Sequence, residues 1–170
     1  MLSYGDISLR VVNFIFLTIV LGLTASLAAT TVNEHNPQVN FCVFAAAWGL
    51  LSSFFYGILA YFLAFLASPL FLAVLDFLNF VFTFAGATAL AVAIRCHSCN
   101  NSDYVDNNKV TQGVETRCRK AQASVAFLYF SVFVFLFSLV IQVLSVLKNG
   151  FFSHSSPKTP RTGVPTMAQV

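Results

Sequence analysis

The segment Leu70–Arg95, LFLAVLDFLNFVFTFAGATALAVAIR, is an apolar run interrupted by one carboxylate, Asp76, and one amide, Asn79. A helix of this length, at ~1.5 Å rise per residue, clears the ~30 Å hydrocarbon core of a bilayer. An ionisable side chain inside such a helix costs at least ~2.5–3.5 kcal/mol at the centre on insertion scales. Asp76 is therefore not expected to face lipid. Asn79 lies three residues on and shares its helix face, which continues to Thr83 and Gly86. That face is predicted to look into a bundle of other helices.

Composition agrees. Of 170 residues, 58% are hydrophobic and 9% charged, whereas a soluble domain carries about 25% charge. The chain cannot cover a soluble surface and reads as an integral membrane protein with one compact membrane domain and short tails. Its net charge of +3 is spread out, with no dense basic run, so nucleic acid is not an expected partner. The 20 Phe residues fall almost wholly within apolar stretches, as lipid contacts or packing.

Four spans are predicted, at about 11–30, 41–66, 70–95 and 121–147. The first, from Val11, is longer than the ~7–15 residues of a signal core and is read as uncleaved. Gly22 and Ser26 within it form a small-xxx-small pair that permits close helix approach. The second span has no charge, and small residues such as Ala45, Ala46 and Gly49 smooth it for packing. Ala67-Ser68-Pro69 is read as a tight turn, with Pro69 in the first turn of the third helix. Residues 96–120 form the one sizeable hydrophilic loop, read as irregular. The fourth span carries Gln142 and an aromatic stripe at Phe127, Phe130, Phe133 and Phe137. Residues 151–170 are Ser/Thr/Pro-rich and basic and are read as disordered. Ser156-Pro157 and Thr159-Pro160 are candidate proline-directed phosphorylation sites. The fold class is thus an all-α four-span helix bundle with both termini on one side.

Charge hardly decides which side. Arg10, Lys148, Lys158 and Arg161 lie on one, and Arg95, Lys109, Arg117, Arg119 and Lys120 on the other, slightly favouring a cytosolic large loop. The cysteines point the other way. A bridge between Cys99 and Cys118 would close about 20 residues, worth roughly 3 kcal/mol, and would persist only on the external or lumenal side. Two thiols at that spacing also exist in reduced form, so the pairing stays open on spacing alone. Asn100-Asn101-Ser102 is an N-glycosylation sequon if the loop is external, close to the membrane. Cys96 is a palmitoylation candidate if it is cytosolic. Cys96, His97, Cys99 and Cys118 offer four zinc donors but lack the second paired cluster of a structural site, so no metal is read. Cys42, inside the second span, reads as a small packing hydrophobe.

Asp76 is the sharpest residue. One reading is a proton or cation site, since intramembrane acids mark pathways. The other is an acid that locks the bundle through Asn79, Asn13 or Gln142. No basic partner falls inside a span and no span is broken, so the structural reading is preferred. His35, His97 and His154 all lie outside the spans, and there is no H-E-x-x-H and no phosphate loop. Neither an enzyme nor a cofactor is expected.

Several stretches carry a resemblance: Leu75-Asp76-Phe77-Leu78-Asn79-Phe80-Val81-Phe82-Thr83-Phe84, His97-Ser98-Cys99-Asn100-Asn101, Thr111-Gln112-Gly113, Thr116-Arg117-Cys118-Arg119, Ala126-Phe127-Leu128-Tyr129-Phe130-Ser131 and Gly163-Val164-Pro165-Thr166. Together they resemble the fungal non-classical export proteins, four-span MARVEL-domain proteins of the plasma membrane. The resemblance implies cytosolic termini and a large external loop with Cys99 and Cys118 bridged. It implies residence in eisosome-associated furrows alongside their coat proteins, a role in organising those domains, and a response to sphingolipid level. It also implies a link to export of leaderless proteins, and supplies no catalytic residues. Sphingolipid and sterol are the lipid partners expected, and small-residue faces are read as holding the bundle or a homo-oligomer. The reading from another class is a small channel or proton-coupled carrier using Asp76.

Overall fold

The computed structural model describes residues 4–32, 35–55, 69–95 and 97–149. Every regular element among them is helical, and the chain is a multi-pass membrane protein. Helix α1 spans Tyr4–Ala29 and α2 spans Pro37–Leu50, running on into a π-helical turn at Leu51–Phe55. Then come α3 at Pro69–Ile94, a short α4 at Ser102–Asn107 and the long α5 at Glu115–Asn149. Among the described residues, 3 helices are long and apolar enough to cross a membrane: Gly5–Ala29, Leu70–Ile94 and Glu115–Lys148. Residues 56–66 of the expected second span and Ala67-Ser68 of the turn lie outside the described residues, as do Cys96 and the tail at 151–170.

Three boundaries differ from the sequence reading. Helix α1 begins at Tyr4 rather than near Val11: the polar residues ahead of Val11 continue the helix, with Asp6 in the first turn where the helix dipole favours an acid. Helix α2 opens at Pro37, whose fixed φ suits a first turn. The stretch 96–120 is not irregular throughout. It contains α4, and α5 starts at Glu115. What orders it is a small core: Val105 and Val110 are buried, and the Thr111 hydroxyl donates to the Val105 carbonyl at 2.6 Å. The turn between α4 and α5 takes left-handed conformations at Gln112 (φ 50°) and Gly113 (φ 75°), the second of which suits glycine.

Helix α5 packs on both α1 and α3, and α2 packs on the same two from the other side, so the four long elements close a ring. Asp6 near the start of α1 meets Gln142 near the end of α5, and Leu27 near the end of α1 meets Arg117 at the start of α5. The first and last helical residues therefore lie at one end, the terminal end, and the 97–114 segment caps the other, the loop end. Small residues set the α2–α3 spacing: the buried Cys42 thiol donates to the Gly86 carbonyl at 3.3 Å. A Cβ on Gly49 would lie 2.7 Å from Leu17 Cδ1, so α1 and α2 also approach closely there. Gly22, by contrast, has nothing within 4 Å among the described residues, whereas Ser26 one turn on accepts a hydrogen bond from Lys120 Nζ of α5 at 2.8 Å.

The exterior is apolar. Ile15 and Ile19 of α1, Phe77 and Phe84 of α3, and Phe130, Phe133 and Phe137 of α5 are exposed. Phe127, the first member of the expected stripe, instead packs against Phe16 across the α1–α5 seam, with ring centroids 5.9 Å apart.

Candidate functional site

In the half of the bundle nearer the termini, the interior is polar. Asp76 is 1% exposed. Its Oδ2 accepts from the Ser138 hydroxyl of α5 at 2.6 Å and from Arg10 Nη2 of α1 at 3.4 Å. One level further toward the termini, Gln142 Nε2 donates to Asp6 Oδ1 at 3.1 Å. One level deeper, Asn79 and Ser52 exchange hydrogen bonds at 2.7 and 2.9 Å. The π-helical turn carries Ser52 and Ser53, and its Ser52 hydroxyl reaches Asn79 across the α2–α3 interface; such turns recur at functional sites. Thr83 and Gly86 are buried on the same α3 face as Asp76 and Asn79.

Helix periodicity assembles this column. Asp6, Arg10 and Asn13 recur at four- and three-residue spacing on α1, Asp76, Asn79 and Thr83 on α3, and Ser138 and Gln142 on α5. The partner of Asp76 corrects the sequence reading. Its described partners are Arg10 and Ser138, whereas Asn79 pairs with Ser52 and Gln142 with Asp6. A first span starting near Val11 leaves Arg10 just outside it. Because α1 starts earlier, Arg10 falls on the inward face, and its long stem carries the guanidinium to the carboxylate. An intramembrane basic partner therefore exists.

Several buried polar atoms in this half have no partner among the described residues: Arg10 Nε, Asn13 Oδ1, Ser53 Oγ and Ser131 Oγ. Chemically, the arrangement neutralises Asp76 in place and ties α1, α3 and α5 together through one carboxylate oxygen.

The loop half is built otherwise. Its interior is an apolar cluster that includes Val20, Leu27, Val39, Leu90, Ile94 and Leu128. Buried hydroxyls there bond back to their own helix, Thr24 to the Val20 carbonyl and Ser124 to the Lys120 carbonyl, each at 2.8 Å. Arg117, 5% exposed, donates to the carbonyls of Leu27 and Val110, both at 3.1 Å, and to the hydroxyls of Thr30 and Thr31. It caps the end of α1, where unsatisfied carbonyls and the negative pole of the helix dipole favour a cation. Cys99 and Cys118 are joined by a disulfide, with Cα atoms 5.7 Å apart. The bond removes both sulfurs from the zinc donor set considered above. Asn100 is exposed in the turn ahead of α4, its N–H donating to the Ser98 hydroxyl at 3.4 Å. Ser156 and Thr159 lie outside the described residues.

Sequence reasoning missed Arg10, Ser138 and Arg117 as site residues. Two signals were present: Asp6–Arg10 and Ser138–Gln142 are both polar pairs at helical i,i+4 spacing. Arg117 read only as one more loop charge, and nothing in its spacing marks the carbonyls it caps.

Residues 3–141 match the family described as MARVEL, a membrane-associating domain. The chain is 63% identical over 170 residues to non-classical export protein 102 of Candida albicans, covering all of both chains. It is 52% identical over 174 residues to non-classical export protein 2 of Saccharomyces cerevisiae, again over the whole of both. A Schizosaccharomyces pombe homologue of the latter is 34% identical over 133 residues, 78% of this chain and 72% of its own. No solved structure matches.

Proposed function

The chain belongs to the MARVEL membrane-associating family and, within it, to the fungal non-classical export proteins, and on that premise we propose that it organises lateral domains of the plasma membrane. In this reading it crosses the bilayer four times, with cytosolic termini and the 96–120 loop outside, in furrow-like eisosome compartments with their coat proteins. It responds there to sphingolipid level, contacts sterol as well, and self-associates. The relatives' names connect them with non-classical export, and the same membrane role is proposed to underlie that link here. We read the protein as non-enzymatic.

The observation that carries this reading is the sorting of residues. Ionisable side chains within the membrane helices turn inward or to the ends, while Phe, Val, Ile and Leu cover the outside. The chemically distinctive surface offered to the bilayer is its apolar exterior, which suits selection among lipids by packing. A channel or carrier through Asp76 needs a polar path along the whole bundle. The polar column instead meets the apolar cluster of the loop half, and Asp76 is already paired, which favours the organising role.

The test follows a fluorescently tagged full-length chain in living cells while sphingolipid synthesis is blocked. Patches that redistribute on inhibition are expected. A uniform distribution both before and after treatment overturns the proposal.

A further inference from the structure

At the loop end, a groove of about 590 Å³ opens between the start of α2, the end of α3 and the α4 segment. Four basic side chains line it: His35, Arg95, His97 and Lys109. Among the described residues no carboxylate joins them. Helix α4 presents Tyr104 and Asn107 to this groove, while Asp106 lines the two neighbouring ones. Arg95 and Lys109 are exposed, and neither has an ion pair among the described residues.

The frame beneath these cations is tied down. Asn36 is buried, and its Nδ2 donates to the Lys109 carbonyl at 3.1 Å. Asn108 Nδ2 donates to the Ala93 carbonyl at 2.9 Å, and the Tyr104 hydroxyl donates to the carbonyl of Ile94. The His97 ring packs on Tyr104, centroids 5.1 Å apart. Arg95 ends α3 in a left-handed conformation, φ 49°, its N–H bonded to the Ala91 carbonyl at 2.9 Å. Among the described residues the groove therefore gathers basic side chains without a lining carboxylate, on a fixed frame at the depth where the apolar part of α3 stops, and Lys109 also borders the neighbouring groove that Asp106 lines. Guanidinium and ammonium groups at that depth meet phosphate oxygens, to which they form charge-assisted hydrogen bonds.

We propose that this groove binds a phosphate ester at the membrane surface, with Arg95 and Lys109 as its principal contacts. The same chemistry is offered by the phosphodiester of an anionic lipid headgroup and by a soluble phosphate. The inference rests on the lipid-organising role above, and its assay uses purified protein, so binding can fail while the cellular patches persist, or the reverse.

The experiment applies native mass spectrometry to the full-length chain released from nanodiscs of phosphatidylcholine containing phosphatidylglycerol. A parallel arm adds inorganic phosphate to the detergent-solubilised protein and follows its thermal shift. The native chain is expected to retain phosphatidylglycerol about tenfold over phosphatidylcholine, the scale of two partly exposed charge contacts. The variant R95N/K109Q should lose that preference, asparagine being tolerant of the left-handed backbone. R119Q, which removes a cation paired with Glu115 rather than one in the groove, should keep it. If the double variant does not fold, K109Q alone should lower the preference about threefold. Lipid preference without a phosphate shift assigns the site to headgroups, and a phosphate shift without lipid preference assigns it to soluble esters. Absence of both, or an unchanged preference in the groove variants, overturns the proposal.

Discussion

Leu90 and Asp76 sit on the same helix, both buried, and meet opposite surroundings. Around Leu90 the bundle is closed by aliphatic side chains, the one disulfide among the described residues and the Arg117 cap on α1. Around Asp76 it is closed by a guanidinium, hydroxyls and amides, some with atoms that find no described partner. A buried charge or amide stabilises only while every partner is in place, because each unsatisfied group costs about 1–3 kcal/mol. Aliphatic packing in the loop half loses energy gradually as it loosens. The loop half is thus held redundantly, and the terminal half by a few interdependent contacts. A protein that changes state with its lipid surroundings would change first in the second.

The largest test of that contrast is Arg10→Ala. It leaves Asp76 buried beside a hydroxyl alone, and breaking a buried pair by removing one partner typically costs about 3–5 kcal/mol. Unfolding of the purified protein in mixed micelles, followed by circular dichroism, should report a loss of that size. The double variant R10M/D76L, which removes both charges together, should recover most of it. A loss under about 1 kcal/mol for Arg10→Ala would mean that the pair is solvated, and the two halves would then differ in composition but not in energetics.

Replacing both Cys99 and Cys118 by serine tests the other half. Opening a loop of this length should cost roughly 3 kcal/mol by the chain-entropy account. The loss should stay local: proteolysis within 97–114 should rise, while an engineered thiol beside Asp76 stays as protected as before. Distant sites with no shared partners add nearly independently. If the thiol beside Asp76 becomes reactive as well, the halves are one cooperative unit and the contrast weakens.

How far the sequence foretold this division depends on the medium. On α3, the face carrying Asp76, Asn79, Thr83 and Gly86 was legible because lipid leaves a polar side chain in mid-span only one direction to face. Arg10 was not legible, because a charge at the margin of an apolar run reads as a leader until the helix start is known, and Tyr4 begins the helix without a strong signal. Helix α4 was hidden for a different reason. Val105 and Val110 look like isolated apolar residues among Asn and Asp, and only the fold shows them buried beneath the cap. The start of α5 at Glu115 was lost in the same polar stretch. Three of the expected spans, the first, third and fourth, were readable from composition, while their ends and cross-helix partners depended on register, which apolar runs of this kind do not encode.

The smallest effect concerns Asn13, which is 1% exposed and whose Oδ1 accepts nothing among the described residues. Leu17, one turn further along α1, sits against Gly49 with no exposure at all. Asn13→Leu would carry the aliphatic packing of the loop half one turn into the terminal half. Because it replaces an unsatisfied amide by an apolar group of similar size, it should stabilise the protein by about 1 kcal/mol. The gain should come with a less responsive bundle, seen as slower hydrogen exchange at the backbone amides of Phe14 to Leu17. Destabilisation would instead mean that Asn13 Oδ1 holds an internal water. In that case the polar half is as fully satisfied as the apolar one, and its atoms without protein partners mark the water's place rather than a weakness.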